Sequence, residues 1–119
     1  IDILNRMEDV PQYKWNTAFF ELAKIYTLLK EYSKSIDYFD KVTWKKGTFD
    51  DMSTWSWNGL ILELNKNYAL SYIKNDKKII EETNLIINEL LSEKYSAFAQ
   101  NVTTRKRIQE VKDRISLIQ

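Results

Sequence analysis

The chain has 119 residues, of which 44% are hydrophobic and 29% charged, as expected for one soluble globular domain. Its 18 cationic and 17 acidic side chains are interspersed, which argues against a nucleic-acid binder, since such proteins concentrate positive charge on one face. It has no cysteine or histidine and only two glycines, which excludes disulfides, thiolate zinc sites, histidine bases and glycine-rich phosphate loops.

The first two predicted helices form an antiparallel pair. Asp9 and Pro11 predict the start of the first helix, which continues to about residue 30. Its apolar stripe consists of Trp15, Ala18, Phe19, Leu22, Ile25, Tyr26 and Leu29. After a short turn, the stripe of the second helix consists of Tyr32, Ser35, Ile36, Phe39 and Val42. We expect this helix to end near Lys45–Lys46, with Gly47 as a left-handed stop.

The third helix, predicted over about 49–73, is apolar nearly all round. One stripe contains Trp57, Leu60, Ile61, Leu64, Tyr68 and Tyr72, and the other contains Met52, Trp55, Leu62, Ala69 and Ile73. A helix with two apolar faces must be covered on two sides, so we place it in the middle of a stack. Thr48 and Asp51 resemble a capping box at its start. Asp76 predicts the cap of a fourth helix over about 77–92.

The end of the chain predicts a short helix to about residue 101, a bend, and a last helix from 104 capped by Thr103 or Thr104. The stripe of this last helix, Ile108, Val111, Ile115 and Ile118, is narrow and suits an end-cap or a surface for further segments. No apolar run is long enough to span a membrane. Because the sequence begins at Ile1, within what resembles the tail of an element whose start is missing, we expect a fragment of a longer protein. Its compartment is left open, with the cytoplasm slightly favoured.

Residues 19–42, FFELAKIYTLLKEYSKSIDYFDKV, resemble a tetratricopeptide repeat, an interaction module of paired antiparallel helices. The matching positions are Phe19, Leu22, Ala23 and Tyr26 in the first helix and Ser35, Phe39 and Val42 in the second. Small Ala23 and Ser35 would let the two helices approach closely. The match covers residues 16–49, with Lys30 and Gly47 where the family usually has glycine and proline.

A second, degenerate unit over about 50–92 follows if the pattern of the first helix is shifted by 46 residues and that of the second by 48. The resemblance therefore implies an all-α fold in which antiparallel helical hairpins stack as a short TPR-like solenoid, a fragment of a right-handed superhelix. We expect one such domain over residues 1–119. The alternative is an unrelated helical bundle.

The resemblance implies a protein- or peptide-binding scaffold whose first helices line a groove. The groove residues that it implies are Thr17, Phe20, Lys24, Thr27 and Leu28 in the first helix and Glu63, Lys66, Leu70 and Ile73 in the third. With so few lysines among them, an apolar or mixed ligand is favoured. Alternatively, Phe20 and Leu28 pack against an N-terminal segment.

No residue pattern predicts catalysis, a metal site or a cofactor, so we expect no enzyme activity. The tryptophans are expected in the core, except Trp44, which is expected to be half-exposed. The alternative function is a structural or dimerisation segment of a larger all-helical protein, such as a peptide-sensing regulator of Gram-positive bacteria. That function predicts self-association through Ile108, Val111 and Ile115 in the C-terminal helix.

Overall fold

The computed structural model describes residues 12–74, 76–98 and 101–118, and these residues are mostly helical, as the sequence predicts. The α-helices are α1 (Gln12–Leu28), α2 (Tyr32–Lys41), α3 (Trp57–Leu70), α4 (Lys77–Leu90) and α5 (Val102–Ile118), and the 3-10 helices are Met52–Thr54 and Glu93–Phe98. The described residues form no β-strand, only an isolated bridge between Thr48 and Asp51. The chain divides after Thr43 into two compact units. The first unit contains α1 and α2, and the second contains α3, α4 and α5.

Lys30 reverses the chain between α1 and α2. Its φ of 62° makes it the one non-glycine residue with positive φ among those described. The turn is closed by two backbone hydrogen bonds, in which Lys30 N–H donates to the Thr27 carbonyl and Glu31 N–H donates to the Tyr26 carbonyl. A Cβ atom in this left-handed conformation is crowded by the following carbonyl oxygen, whereas glycine has no Cβ and adopts it freely.

We expect Lys30→Gly to raise the free energy of unfolding by roughly 1 kcal/mol, because it removes this strain from the folded chain. Lys30→Ala is the matched control, since it removes the same side chain and keeps the Cβ atom. Urea unfolding of both variants measures the difference. Equal stability of Lys30→Gly and Lys30→Ala would show that the turn stores no strain.

The two helices of the first unit are in direct contact at Ala23 and Ser35, both of which are fully buried. The Ala23 carbonyl lies 2.9 Å from Thr27 Oγ1 and 3.0 Å from Ser35 Oγ, and the two hydroxyl oxygens are 2.5 Å apart. Beside this polar contact, the rings of Phe20 and Phe39 meet edge to face with centroids 5.8 Å apart. The close approach that the sequence predicts at Ala23 and Ser35 is confirmed.

The buried face of α1 differs from the apolar stripe expected from the sequence. Its buried residues are Asn16, Phe19, Phe20, Ala23 and Thr27. The predicted stripe was wrong for Ile25 and Leu29, which are 49% and 62% exposed. The reason is that the close approach to α2 selects a face with small residues, on which Thr27 finds a hydrogen-bonding partner.

α2 ends at Lys41, several residues before the predicted end near Lys45–Lys46. Val42 is extended, with φ −75° and ψ 128°. The next residue is held by α1, because Asn16 Oδ1 accepts hydrogen bonds from Thr43 N–H at 2.8 Å and from Thr43 Oγ1 at 3.1 Å. This tie replaces the helical hydrogen bonds that would continue α2.

α3 packs against both α4 and α5 in the second unit. The buried core there consists of Trp55, Leu60, Leu64, Ile86, Ile87, Leu90, Tyr95, Ile108, Val111 and Ile115. Leu62 and Ala69, from the second predicted stripe of α3, are also fully buried but lie outside this cluster. Within α3, members of both predicted stripes are therefore buried, but Tyr72 and Ile73 lie beyond its end and are 40% and 47% exposed, so the predicted stripes were wrong there.

α3 starts at Trp57 rather than near residue 49, because Ser56 caps it. Ser56 Oγ accepts a hydrogen bond from Gly59 N–H at 3.0 Å and donates one to the Lys45 carbonyl at 2.8 Å. The predicted capping role of Asp51 belongs instead to the short helix Met52–Thr54, where its carboxylate accepts a hydrogen bond from Ser53 N–H. The hydrogen bond from the Ser53 hydroxyl to this carboxylate, followed by the one from Ser53 N–H, lowers the pKa of Asp51.

The starts of α4 and α5 are set by short polar side chains. Asp76 accepts a hydrogen bond from Lys78 N–H at 2.9 Å, which confirms the predicted cap of α4. α5 begins two residues before the predicted position, and Asn101 rather than a threonine caps it by accepting a hydrogen bond from Thr104 N–H at 3.0 Å. Between these helices the chain bends at Tyr95, whose hydroxyl donates to the Trp55 carbonyl at 3.2 Å.

Candidate protein-binding surface

The groove residues implied on α1 fall into two environments. Phe20 and Thr27 are buried, with 7% and 8% of their surface exposed, and both contribute to the interior of the hairpin. Thr17 and Leu28 are exposed, and Lys24 is half-buried. The part of α1 that is available to a partner therefore centres on Leu28.

Leu28 belongs to an aliphatic cluster, which we define as Ile25, Leu28 and Leu29. Their side chains are 49%, 77% and 62% exposed. Residues three and four apart on a helix are neighbours, so the cluster covers one side of the last turns of α1. Beside it, Lys24 Nζ lies 3.0 Å from a carboxylate oxygen of Glu21 and 4.9 Å from the ring centre of Phe20, which leaves this edge electrically balanced.

The groove residues implied on α3 are more enclosed. Glu63, Lys66 and Leu70 are half-buried, and Ile73 is 47% exposed. Glu63 Oε2 lies 2.9 Å from Lys46 Nζ, and this oxygen accepts no hydrogen bond of good geometry from the described residues. The contact is therefore held by charge attraction. Because α1 and α3 belong to different units, a common groove stays a prediction.

Two arginine–tyrosine stacks join α5 to α3 and to the turn that follows α3. The Arg107 guanidinium lies 4.6 Å from the ring centre of Tyr68, and that of Arg114 lies 4.0 Å from the ring centre of Tyr72. Arg114 also donates to the Ser71 carbonyl at 3.1 Å. Burial, followed by the neighbouring Tyr72 hydroxyl, raises the pKa of Tyr68 to about 12. These stacks were not predicted, although tyrosines four apart and arginines seven apart in the sequence each indicate one helix face.

The apolar stripe of α5 is used within the second unit. Ile108, Val111 and Ile115 are only 5%, 2% and 7% exposed, because they form part of its core. The large apolar side chains of α5 that are exposed are those of Val102 and Leu117, near its two ends. Self-association through this helix stays a prediction, and the stripe that suggested it is covered.

The tryptophans take the positions expected from the sequence. Trp55 is 4% exposed and belongs to the core of the second unit, and Trp57 packs against that core. The Trp55 indole N–H donates to the Thr48 carbonyl at 2.9 Å, which satisfies its polar atom. Trp44 is half-buried, as predicted.

Within residues 12–74, 76–98 and 101–118, no three acidic side chains are grouped so that they could hold a metal ion. Over the same ranges, no helix combines the length and apolar character that crossing a bilayer requires.

The comparisons with known proteins give no relative. The chain matches no protein-family model, no curated protein and no solved structure.

Proposed function

We propose that the chain is a protein- or peptide-binding helical module that acts as an interaction scaffold. The observation that carries the proposal is the exposure of the aliphatic cluster on α1, whose central residue, Leu28, is 77% exposed. Scattered single apolar residues are common on protein surfaces, but adjacent ones more often mark a place where another molecule binds. A partner that covers these three side chains would gain roughly 25 cal/mol for each Å² of apolar surface removed from water.

The helix that presents the cluster is well fixed, which also favours binding. α1 is joined to α2 by the hydroxyl contacts at Ala23 and by the stacked rings of Tyr26 and Tyr38, with centroids 5.4 Å apart and planes inclined by 8°. A surface on such a helix loses little conformational entropy when a partner binds. This supports recognition by a preformed surface, on which an amphipathic helix or an extended apolar segment could lie.

The TPR-like solenoid is part of the same proposal. It is supported by the buried small residues Ala23 and Ser35 in the first unit and by a comparable polar contact between α3 and α4. There Asn67 Nδ2 donates to Thr83 Oγ1 at 3.0 Å, and Thr83 is 2% exposed. Ser35 and Thr83 are the residues paired by the 48-residue shift, so both hairpins place a buried hydroxyl at the same position of their second helix.

A selection experiment tests the proposal. Peptides enriched from a random displayed library on the purified chain would be labelled, and their affinities measured by fluorescence anisotropy. We expect Leu28→Lys to lower the affinity for these peptides by about tenfold or more, because an ammonium group would have to be buried under the bound peptide. The melting temperature should change little, since the side chain is exposed.

Leu85→Lys is the control, because Leu85 is an exposed leucine on α4, 41% exposed, outside the cluster. The proposal fails if no peptide is enriched or if both variants weaken binding equally. Light scattering on the same samples measures the oligomeric state and so tests the alternative function, a dimerisation segment. A dimer that Leu28→Lys dissociates would make the cluster a self-association surface instead.

A further inference from the structure

The outward side of α5 carries positive charge that the described residues do not balance. Arg105, Lys106 and Lys112 are all exposed, and none forms an ion pair with a described residue. They lie within about two turns of one helix, where their charges repel each other. We call these three residues the basic face.

The acidic residues of α5 offset only part of this charge. Glu110 lies 3.6 Å from Arg107, whose guanidinium is stacked on α3, and it is only partly exposed. Asp113 accepts a hydrogen bond from Gln109 Nε2 at 2.9 Å. That neutral amide leaves the charge of Asp113 in place, so Asp113, which is exposed beside Lys112, offsets one of the three cations and the outward side of α5 stays net positive.

The position of the basic face along α5 is also unfavourable for stability. The first turn of α5 contains no acidic residue, and Arg105 and Lys106 follow directly after it. Cations near a helix N-terminus oppose the helix dipole, and acids are the usual choice there. Local stability does not explain this choice of residues, whereas binding to an anionic partner does.

We propose that the basic face binds an acidic segment of a protein partner. Val102 and Leu117 lie at the two ends of this side of α5 and are 78% and 79% exposed. They are about 22 Å apart along the helix axis, from a rise of about 1.5 Å per residue. A protein segment with acidic residues between two apolar ones complements this side in both charge and apolar surface. A nucleic acid would complement it less well, because its phosphates would not cover Val102 and Leu117, and α5 offers no exposed aromatic ring for a base to stack on.

A designed acidic peptide tests this proposal on the full chain. The probe is a labelled amphipathic peptide of about 15 residues, with glutamates along one face and a leucine near each end, so that it matches the span of α5. We expect it to bind at low salt and to weaken steeply as salt is added. The same peptide with lysines in place of the glutamates should not bind.

The decisive variant carries Arg105→Glu, Lys106→Glu and Lys112→Glu together, and should lose at least about tenfold in affinity for the acidic peptide. It should stay folded, because acids suit the start of a helix. The matched control carries Lys45→Glu, Lys77→Glu and Lys78→Glu, which change three exposed lysines elsewhere by the same total charge. Binding by this control should fall much less.

Three results would overturn the proposal: no binding of the acidic peptide at about 1 mM in low salt, an equal loss in both triple variants, or tighter binding of a mixed-sequence DNA strand or of phosphatidylserine vesicles. The proposal is independent of the aliphatic cluster on α1. Leu28→Lys should leave the affinity for the acidic peptide unchanged, so a failure of one proposal does not imply a failure of the other.

Discussion

Gly59→Ala is expected to destabilise the second unit by about 2–3 kcal/mol, although alanine is the better helix former. Gly59 is buried in the first turn of α3, against the backbone of the segment that precedes the helix. A Cβ atom at this position would overlap the Lys45 carbonyl oxygen. That oxygen cannot move away easily, because it accepts the hydrogen bond from Ser56 Oγ, the hydroxyl that caps α3.

Urea unfolding followed by tryptophan fluorescence measures this effect, since Trp55 and Trp57 lie close to the substituted residue. Asn58→Ala is the control, because Asn58 is exposed on the same turn and should tolerate alanine with little change. The sign of the result decides the question. If Gly59→Ala stabilises the chain by about 1 kcal/mol, as helix propensity alone predicts, the preceding segment does not press against α3.

Ala23→Leu should destabilise the first unit by roughly 1–3 kcal/mol, the usual range for overpacking. Ala23 is fully buried at the contact between α1 and α2, and its carbonyl lies 3.0 Å from the Ser35 hydroxyl oxygen. A packed interior has no space for three more carbon atoms, so the helices would have to separate and strain these contacts. Denaturant unfolding measures the loss.

Lys24→Leu is the control for Ala23→Leu, because it places the same side chain on the neighbouring, half-buried position of α1. We expect this control to stay within about 0.5 kcal/mol of the parent chain. If Ala23→Leu unfolds at the same or a higher denaturant concentration, the closely packed hairpin is wrong, and with it the resemblance to a tetratricopeptide repeat.

The helices could be predicted from the sequence because apolar periodicity and a lack of glycine and proline both favour them. Their ends were predicted where a local side chain decides, as at Asp76, whose carboxylate caps α4. The helix ends were predicted wrongly where a residue distant in sequence determines them. α2 stops early because Asn16, on another helix, binds the backbone of Thr43, and no local pattern contains that information.

The candidate surface could be predicted less well, because sequence periodicity locates apolar residues and does not say which of them another helix covers. Leu28 was predicted as a surface residue and is exposed, but Ile25 and Leu29 were assigned to the core. Thr27 shows why: its hydroxyl is satisfied inside the hairpin, so a polar residue takes a core position that periodicity gives to an aliphatic one. The cations of the basic face are visible in the sequence, but only the structure shows that Arg107 is paired with Glu110 and stacked on Tyr68 while Arg105, Lys106 and Lys112 are exposed.

The contacts at the Ala23 carbonyl have a consequence for the positions of protons. The carbonyl, Thr27 Oγ1 and Ser35 Oγ form a triangle of three close oxygen pairs, but the two hydroxyl groups hold only two protons between them. Three arrangements are therefore equal in number of bonds. Both hydroxyls donate to the carbonyl, or one donates to the carbonyl while the other donates to that hydroxyl, or these two roles are exchanged. Whichever hydroxyl is lost, the other can still donate to the carbonyl, so this junction between the helices has a built-in redundancy.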